Sequence, residues 1–478
     1  MNLELTNNWK KLILVSLGLG LIAIGIHPFA WFAIAAIFFL LFVYTSGEKY
    51  LIPFTIILFL VMTSDFTESY RNYINVFLIL LLVYLYLKNF GLSLSYASKF
   101  PKEINYVLAL TLFSMFISSL FSENIPFTLL VTFRQIVFFI IVYIYFSFIK
   151  DERAVSFYLG SLIMVSIVLG IVIFYEIISK GLGLFSVQSN SFVQFSGLYS
   201  NPNEVGLLLN VSIPMMIAVV MIKRNEQNKF IHLYYLTLIF LLAVLLLTDS
   251  RASIGAVFLS AIFILWKIKP NLIKYIFYSF VLIALIIFLI PVLNEFAGIY
   301  FRVGRIFENT RYDIWSMTFK IIKNNILFGV GPDLFWTKIY SYLPVMLGSF
   351  EEHQIWWART GTAHNFFLFK FAETGIFGFA SAIYLFYAFF KISINIEKKL
   401  KDSNRNNYLI SVASSSVGVG LLARAFLEST GLLTNGWITR DLPFWLVFII
   451  IIYFYQGLNG TGKSSEAISV KMNDRKVE

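Results

Sequence analysis

The residues best suited to chemistry are arginines and one histidine between Tyr300 and Gly378. This segment is polar, whereas most of the chain is apolar, and it contains Arg302, Arg305, Arg311 and Arg359. It ends on the sequence GTAHNFFLFKFAETGIFG, in which His364 opens the next apolar run. A guanidinium group binds phosphate oxygens through two parallel hydrogen bonds. Arginines beside a histidine at a membrane face therefore predict chemistry on a phosphate-bearing lipid.

His364 is the predicted general base. It lies at the start of an apolar helix, where free backbone N–H groups and the helix dipole supply partial positive charge. That field and the nearby arginines favour a neutral imidazole, which can accept a proton at neutral pH. The alternative is an interfacial histidine that only contacts water. The other three histidines lie in sequence contexts less suited to a general base: His27, His232 and His353.

Arg251 lies in the sequence LLLTDSRASIGAVF, where two apolar runs meet with almost no loop. A charge within the hydrocarbon costs on the order of 2.5–3.5 kcal/mol on insertion scales, so such a residue usually has a partner and a function. Asp249 is the candidate partner for a purely structural pair. A role in binding is the interpretation that we favour.

Other polar residues are expected to support the site. Asn203 lies in SGLYSNPNEVG, whose asparagines are typical caps of the following helix. Lys370 and Glu373 are three residues apart, and Arg424 and Glu428 are four apart, which are the spacings of side chains that pair on one helix face. The supporting residues are therefore Arg359, Asn203, Glu373 and Arg424.

The composition is that of an integral membrane protein. Of 478 residues, 59% are hydrophobic and only 13% charged, with a mean hydropathy of +0.79. The absence of cysteine excludes disulfides, thiolate metal sites and cysteine nucleophiles. Glycine-rich nucleotide-binding motifs are also absent, so neither a cofactor nor a metal site is predicted. The net charge of +11 belongs to the membrane rim and its anionic lipids rather than to nucleic acid.

Apolar runs of membrane-spanning length predict an all-α polytopic protein with about 14 transmembrane helices. The predicted spans are 11–27, 29–46, 50–64, 73–88, 104–121, 131–149, 154–178, 204–222, 231–248, 252–267, 274–292, 364–391, 407–427 and 441–457.

The spans divide the chain into four parts. Residues 1–292 hold transmembrane helices 1–11, and 293–363 form one long external loop. Residues 364–457 hold helices 12–14, and 458–478 form a disordered cytoplasmic tail. Within the loop, apolar residues from Tyr312 to Ile326 recur at helical spacing. They predict an amphipathic helix on the outer membrane surface, with Arg311 at its start and GVGP at its end.

The distribution of basic residues sets the orientation. Lysine dominates the segments that this topology places inside, which makes both termini cytoplasmic. Nine of the thirteen arginines instead fall outside or near the outer helix ends. Because topology needs only positive charge on the inner face, arginine on the outer face indicates another task, namely binding of phosphate.

Three fragments resemble the O-antigen ligase and polymerase superfamily of integral membrane glycosyltransferases. They are GLYSNPNEVGLLL, LLTDSRASIGA, and RYDIWSMTFKIIKNNILFGVG followed at a distance by TAHNFFLFKFAETGIFG. Their order and the long loop before the histidine helix match that family over the central half of the chain.

The resemblance implies a GT-C-like fold and a glycan donor carried on undecaprenyl diphosphate at the outer face of the cytoplasmic membrane. It implies that His364 activates an acceptor hydroxyl and that Arg251, Arg311 and Arg305 hold the diphosphate. The reaction would be metal-independent and would invert the anomeric configuration, and a flippase and a chain-length regulator would be partners.

The resemblance leaves the acceptor open. A polymerase joins the glycan to the next lipid-linked repeat unit, and fourteen spans favour this reading weakly. A ligase transfers it to lipid A core or another envelope acceptor. A flippase for lipid-linked oligosaccharide is the rival from another class, although such transporters are often built from two similar halves, and this chain shows no repeat. A non-catalytic envelope scaffold would not need the arginines and the histidine.

Overall fold

The computed structural model describes residues 51–62, 70–91, 100–179, 185–186, 191–199, 201–294, 298, 310–342 and 361–458. Over these residues the chain is helical apart from one antiparallel pair of two-residue strands, β1 (Phe185–Ser186) and β2 (Ser191–Phe192). The helices are α1 (Leu51–Met62), α2 (Arg71–Phe90), α3 (Lys102–Leu120), α4 (Ile125–Phe148), α5 (Glu152–Ser179), α6 (Pro202–Asn225), α7 (Ile231–Leu247), α8 (Arg251–Ile268), α9 (Asn271–Leu289), α10 (Thr310–Asn324), α11 (Phe335–Tyr340), α12 (Phe366–Leu400), α13 (Arg405–Ala425) and α14 (Ile438–Leu458).

Nine helices of the described part are long and apolar enough to cross a membrane: α2 to α6, α8 and α12 to α14. The apolar helices α1 and α7 are shorter. Each of the twelve predicted spans from residue 50 onward coincides with a helix. The predicted spans 11–27 and 29–46 lie outside the described residues. The described part of the chain is therefore almost entirely helical and has the long apolar helices of an integral membrane protein.

The helix α6 lies at the centre of the bundle. Most of its apolar stretch is buried by other helices, whereas α2 is largely exposed. Small residues bring α6, α8 and α13 close together. A Cβ on Gly206 of α6 would lie 2.4 Å from Ser253 Oγ of α8, and Ser260 Oγ of α8 donates to Ser416 O of α13 at 2.8 Å. The first contact holds the starts of α6 and α8 against each other, and the second joins the middle of α8 to α13.

The helix α12 consists of two segments that meet at a break. Thr374 has φ −124° and ψ 18°, and Gly375 has φ +67°, a conformation that favours glycine. The carbonyls of Ala372 and Glu373, which the break frees, accept hydrogen bonds from the backbone N–H groups of Val330 (3.0 Å) and Gly331 (2.9 Å). The segment after α10 is therefore docked on the broken helix. The apolar period of the sequence gave no sign of this break, which falls inside the predicted span 364–391.

The amphipathic helix predicted from Tyr312 is present as α10, with Arg311 in its first turn. It ends at Asn324, so GVGP at 329–332 lies beyond its end rather than at it. Its buried face packs against α12 and the chain around α11. Ile314, Met317 and Ile321 form that face, and the lysines at 320 and 323 are exposed.

Candidate functional site

A buried carboxylate, Glu428, is the centre of the site. One of its oxygens, Oε2, lies 3.2 Å from His364 Nδ1, and the other, Oε1, accepts a hydrogen bond from Arg311 Nη2 at 2.8 Å. Glu428 and His364 are almost fully buried, whereas about a quarter of the Arg311 side chain (23%) is exposed. The site therefore opens to its surroundings on the side of Arg311.

Asn203 and Ser250 extend the site into the helix bundle. Asn203 Nδ2 donates to Glu428 Oε1 at 3.2 Å, and Ser250 Oγ donates to Asn203 Oδ1 at 2.7 Å. The cap of α6 is Asn201, whose side chain accepts from Asn203 N at 2.9 Å. Because the side chain of Asn203 binds Glu428, only one of the two predicted capping asparagines caps the helix.

Local backbone features fix the position of the histidine. His364 has φ +47°, an uncommon conformation for a residue other than glycine, and it directly precedes the N-cap residue of α12. That residue, Asn365, accepts from Leu368 N through its side chain, while its backbone N–H donates to Ser429 Oγ at 2.9 Å. The histidine is thus held in a strained turn tied to the segment that carries Glu428.

Arg424 is almost fully buried at the end of α13. It donates through Nη1 to Thr430 O at 2.7 Å and through Nη2 to Asn203 O at 3.0 Å. The side-chain pair with Glu428 that the spacing predicted is replaced by these two carbonyl contacts. Arg424 thereby fixes the loop after α13, and with it Glu428, against the start of α6.

Arg251 is the first residue of α8 and follows Ser250, so it lies at the same end of the bundle as Asn203. Its side chain is exposed. Asp249 accepts a hydrogen bond from Gln194 Nε2 at 3.2 Å and has φ +47°. The short link between α7 and α8 is therefore a strained turn beside the site.

The charges around Glu428 keep it ionised. Burial alone would raise its pKa. The charge interaction and hydrogen bond with His364, together with the positive charges of Arg311 and Arg424, outweigh burial and lower the pKa to about 2. An ionised carboxylate can only accept hydrogen bonds, so Nδ1 of His364 donates to it, and in the neutral imidazole the lone pair is on Nε2. This arrangement prepares Nε2 to accept a proton, and Glu428 would then stabilise the imidazolium.

Glu373, predicted to support the site, belongs to a different polar cluster. Its carboxylate accepts from Asp333 N and from Asn435 Nδ2, both at 2.8 Å. The predicted pairing with Lys370 is present at 4.0 Å, and Lys370 Nζ donates to Asn435 Oδ1 at 2.7 Å. This cluster lies at the break in α12, where it anchors the docked segment that follows α10.

The structure thus gathers His364, Arg311 and Asn203 on Glu428, with Arg424 behind them and Arg251 on the adjoining turn. Arg305 and Arg359 lie outside the described residues. No group of three or more His, Asp or Glu side chains suited to a metal ion occurs in the described part of the chain.

Glu428 is the residue that the sequence analysis missed as a member of the site. Its spacing in the sequence indicates only a pair with Arg424, four residues before it. Its real partners come from α6, α10 and the turn before α12, which are 64 to 225 residues away in the chain. The one signal for it in the sequence was a carboxylate that closely follows an arginine at the end of a predicted span.

The match to a known family covers part of this site. The family model described as O-antigen ligase matches residues 236–383, a segment that includes Arg251, Arg311 and His364. No curated protein matches the chain. The match covers LLTDSRASIGA and the third fragment but not GLYSNPNEVGLLL, and it supports membership of the chain in the O-antigen ligase and polymerase superfamily.

Proposed function

We propose that the chain is a polysaccharide polymerase that joins lipid-linked oligosaccharide repeat units. The donor is a glycan on undecaprenyl diphosphate, and the reaction takes place at the outer face of the cytoplasmic membrane. The observation that carries the proposal is the arrangement of His364 and Arg311 on the two oxygens of one buried carboxylate, Glu428. The members of the matched family are glycosyltransferase-like, which supports the same class of reaction.

In the proposed reaction, His364 Nε2 takes the proton from a hydroxyl of the acceptor glycan. The acceptor oxygen forms a bond to the anomeric carbon of the donor, and the bond from that carbon to the diphosphate oxygen breaks. This single displacement inverts the anomeric configuration. Undecaprenyl diphosphate leaves with the bonding electron pair.

The arginines stabilise the charge that develops on the leaving diphosphate. Arg311 uses Nη2 for Glu428, but a guanidinium group has five N–H donors and part of this one is exposed. Arg251 lies exposed on the adjoining turn. We assign the diphosphate to Arg311 and Arg251, with Arg305 as a third ligand and Arg359 in support. In the proposed reaction, the arginines supply the positive charge that a bound metal ion supplies in metal-dependent enzymes.

Glu428, Asn203 and Arg424 position the reacting groups. Glu428 fixes the tautomer of His364, and Asn203 and Arg424 tie the loop of Glu428 to α6. Both termini are cytoplasmic in this topology, with 293–363 on the outer side. A flippase would supply the substrate and a chain-length regulator would act on the product.

The test is the glycan chain length in cells that carry His364→Ala, with protein abundance checked by immunoblot. The control is His232→Ala, which removes an exposed histidine at the start of α7. We expect loss of the polymer at normal abundance in the first variant and wild-type glycan in the control.

The pattern of the remaining glycan separates the acceptors. Single repeat units on the final acceptor indicate a polymerase, and long chains retained on the lipid carrier indicate a ligase. Wild-type glycan in His364→Ala cells would contradict the catalytic histidine and favour a transporter of lipid-linked oligosaccharide.

A further inference from the structure

A tryptophan of α10, Trp315, lies beside the turn that carries His364. Its indole Nε1 donates to Ala363 O at 3.0 Å, and Ala363 directly precedes the histidine. Four residues before Trp315 on the same helix is Arg311, which contacts Glu428. Side chains four residues apart lie on one face of a helix. Trp315 is therefore one helical turn from Arg311, on the side of α10 that faces the site.

A tyrosine holds the ring of Trp315 in place. The ring centroids of Tyr312 and Trp315 are 6.0 Å apart and the ring planes meet at 82°, which is an edge-to-face contact. Tyr312 is 53% exposed and Trp315 is half-buried. We call these two residues the aromatic pair. One hydrogen bond and one ring contact thus fix the indole, while part of the aromatic pair stays accessible.

Packing within the protein does not account for the aromatic pair. The residues that form the buried face of α10, such as Ile314 and Met317, are at most 3% exposed. Tryptophan and tyrosine are also common at membrane surfaces, where the ring is in lipid and its N–H or O–H group is in water. The N–H group of Trp315 instead binds the backbone beside His364. This direction favours a role in the site.

An indole ring is a suitable stacking surface for a sugar. The face of an aromatic ring carries partial negative charge, and the C–H groups on one face of a pyranose ring carry partial positive charge. The two surfaces therefore attract each other, while the hydroxyls at the rim of the sugar stay available to polar groups. Ligand sites commonly combine an aromatic wall with a few polar groups. Here the polar groups are Arg311 and His364.

We propose that Trp315, held by Tyr312, stacks on the first sugar of the donor, which is the sugar bonded to the diphosphate. This proposal rests on the proposed function, in which Arg311 binds the diphosphate and His364 activates the hydroxyl that attacks the anomeric carbon of that sugar. The reacting sugar must lie next to both groups, and Trp315 does so as well. The aromatic pair would select donors whose first sugar has a face without axial hydroxyls.

The experiment compares the binding of two lipids to the full-length His364→Ala protein, which we expect to lack turnover. One lipid is undecaprenyl diphosphate, and the other carries one N-acetylglucosamine on the diphosphate. The protein is placed in phosphatidylcholine nanodiscs, and binding is followed by titration calorimetry. We expect the sugar to raise the affinity about tenfold. Adding Trp315→Leu should remove this gain and leave the affinity for undecaprenyl diphosphate unchanged, whereas adding Arg311→Gln should weaken both lipids.

Three further variants separate the sugar contact from effects on structure. Trp266→Leu makes the same change at an exposed tryptophan near the end of α8 and should leave both affinities unchanged. Trp315→Phe keeps a flat ring without the N–H group, so it should retain most of the gain from the sugar. Tyr312→Leu keeps the hydrogen bond of Trp315 and should reduce the gain about threefold. It provides the test if Trp315→Leu fails to fold.

Several results would overturn the proposal. Equal affinities for the two lipids in the His364→Ala protein would do so, as would a gain from the sugar that survives Trp315→Leu. Both leave the proposed function standing if Arg311→Gln still weakens the two lipids. Equal weakening of both lipids by Trp315→Leu would limit Trp315 to holding the turn before α12. Affinities that neither Trp315→Leu nor Arg311→Gln changes would refute the proposed function as well.

Discussion

Two buried glutamates of this protein have similar surroundings but different roles. Glu428 contacts an imidazole, a guanidinium group and an amide, whereas Glu373 contacts an amide, a backbone N–H group and an ammonium group. The partners differ in their access to the exterior. Arg311 remains partly exposed, while Lys370 and Asn435 are as buried as Glu373 itself.

Under the proposed function, this difference separates a reaction site from a structural joint. A carboxylate that orients a histidine and lies behind an accessible arginine is suited to proton transfer next to a bound anion. A carboxylate that accepts from the backbone of a docked segment is suited to holding that segment in place. The two therefore predict different phenotypes for the same conservative substitution.

The largest effect is expected for Glu428→Gln. The amide keeps the shape of the side chain, but it removes the charge that fixes the His364 tautomer and pairs with Arg311. We expect the transfer rate to fall by about a hundredfold to ten-thousandfold, the range of a general-base contribution. The rate is measured on purified protein with a lipid-linked donor, and a rate within threefold of wild type would contradict the account.

Gly375→Ala should act on stability rather than chemistry. A Cβ at this position would lie 2.1 Å from Leu327 O, and the φ of +67° is unfavourable for alanine. We expect a loss of about 3 kcal/mol, because the backbone at the break in α12 has to move. The melting temperature of the detergent-solubilised protein checks this. Gly255→Ala on α8, where a Cβ meets nothing within 4 Å, is the matched control and should change little.

Glu373→Gln should destabilise the protein by about 2 kcal/mol. Asp333 N and Asn435 Nδ2 donate to different oxygens of the carboxylate, and glutamine has only one oxygen to accept them. The comparison with Glu428 predicts that the rate per folded molecule stays within about threefold of wild type. A hundredfold loss of rate at unchanged stability would place Glu373 in the reaction and remove the distinction between the two glutamates.

The remaining prediction is a pH dependence of stability that follows from the charge of Glu428 and has no effect near neutral pH. Because its pKa is lowered to about 2 in the folded protein, its ionised form adds stability above about pH 4.5. That contribution, about 3 kcal/mol for a group so buried, is lost as the pH falls from about 4.5 towards 2. Thermal melting from pH 7 to pH 3 should show a steeper loss for wild type than for Glu428→Gln. Parallel curves would contradict this assignment.

Much of the fold follows from the sequence. Long apolar runs can satisfy their backbone hydrogen bonds in a membrane only as helices, so each described span was predictable. The amphipathic period from Tyr312 likewise predicted α10. The break at Gly375 could not be read from the sequence because its hydrogen-bond partners, Val330 and Gly331, lie more than forty residues earlier.

The site was predictable in its residue types but only partly in its connections. His364, Arg251 and Arg311 can be singled out in the sequence because ionisable residues at the membrane are costly and usually have a function. The role of Glu428 depends on contacts among four segments distant in the chain, which spacing along one helix does not reveal. For the same reason, the sequence placed Glu373 with the histidine, and the structure places it at the break in α12.

The most direct test of the account measures glycosyl transfer by purified protein in liposomes that contain the lipid-linked oligosaccharide. Wild type, His364→Ala and His232→Ala are compared at matched amounts of folded protein. The account predicts that His364→Ala lowers the rate at least about a hundredfold and that His232→Ala leaves it unchanged. Transfer by His364→Ala at the wild-type rate would contradict the central claim that His364, oriented by Glu428, is the base of the reaction.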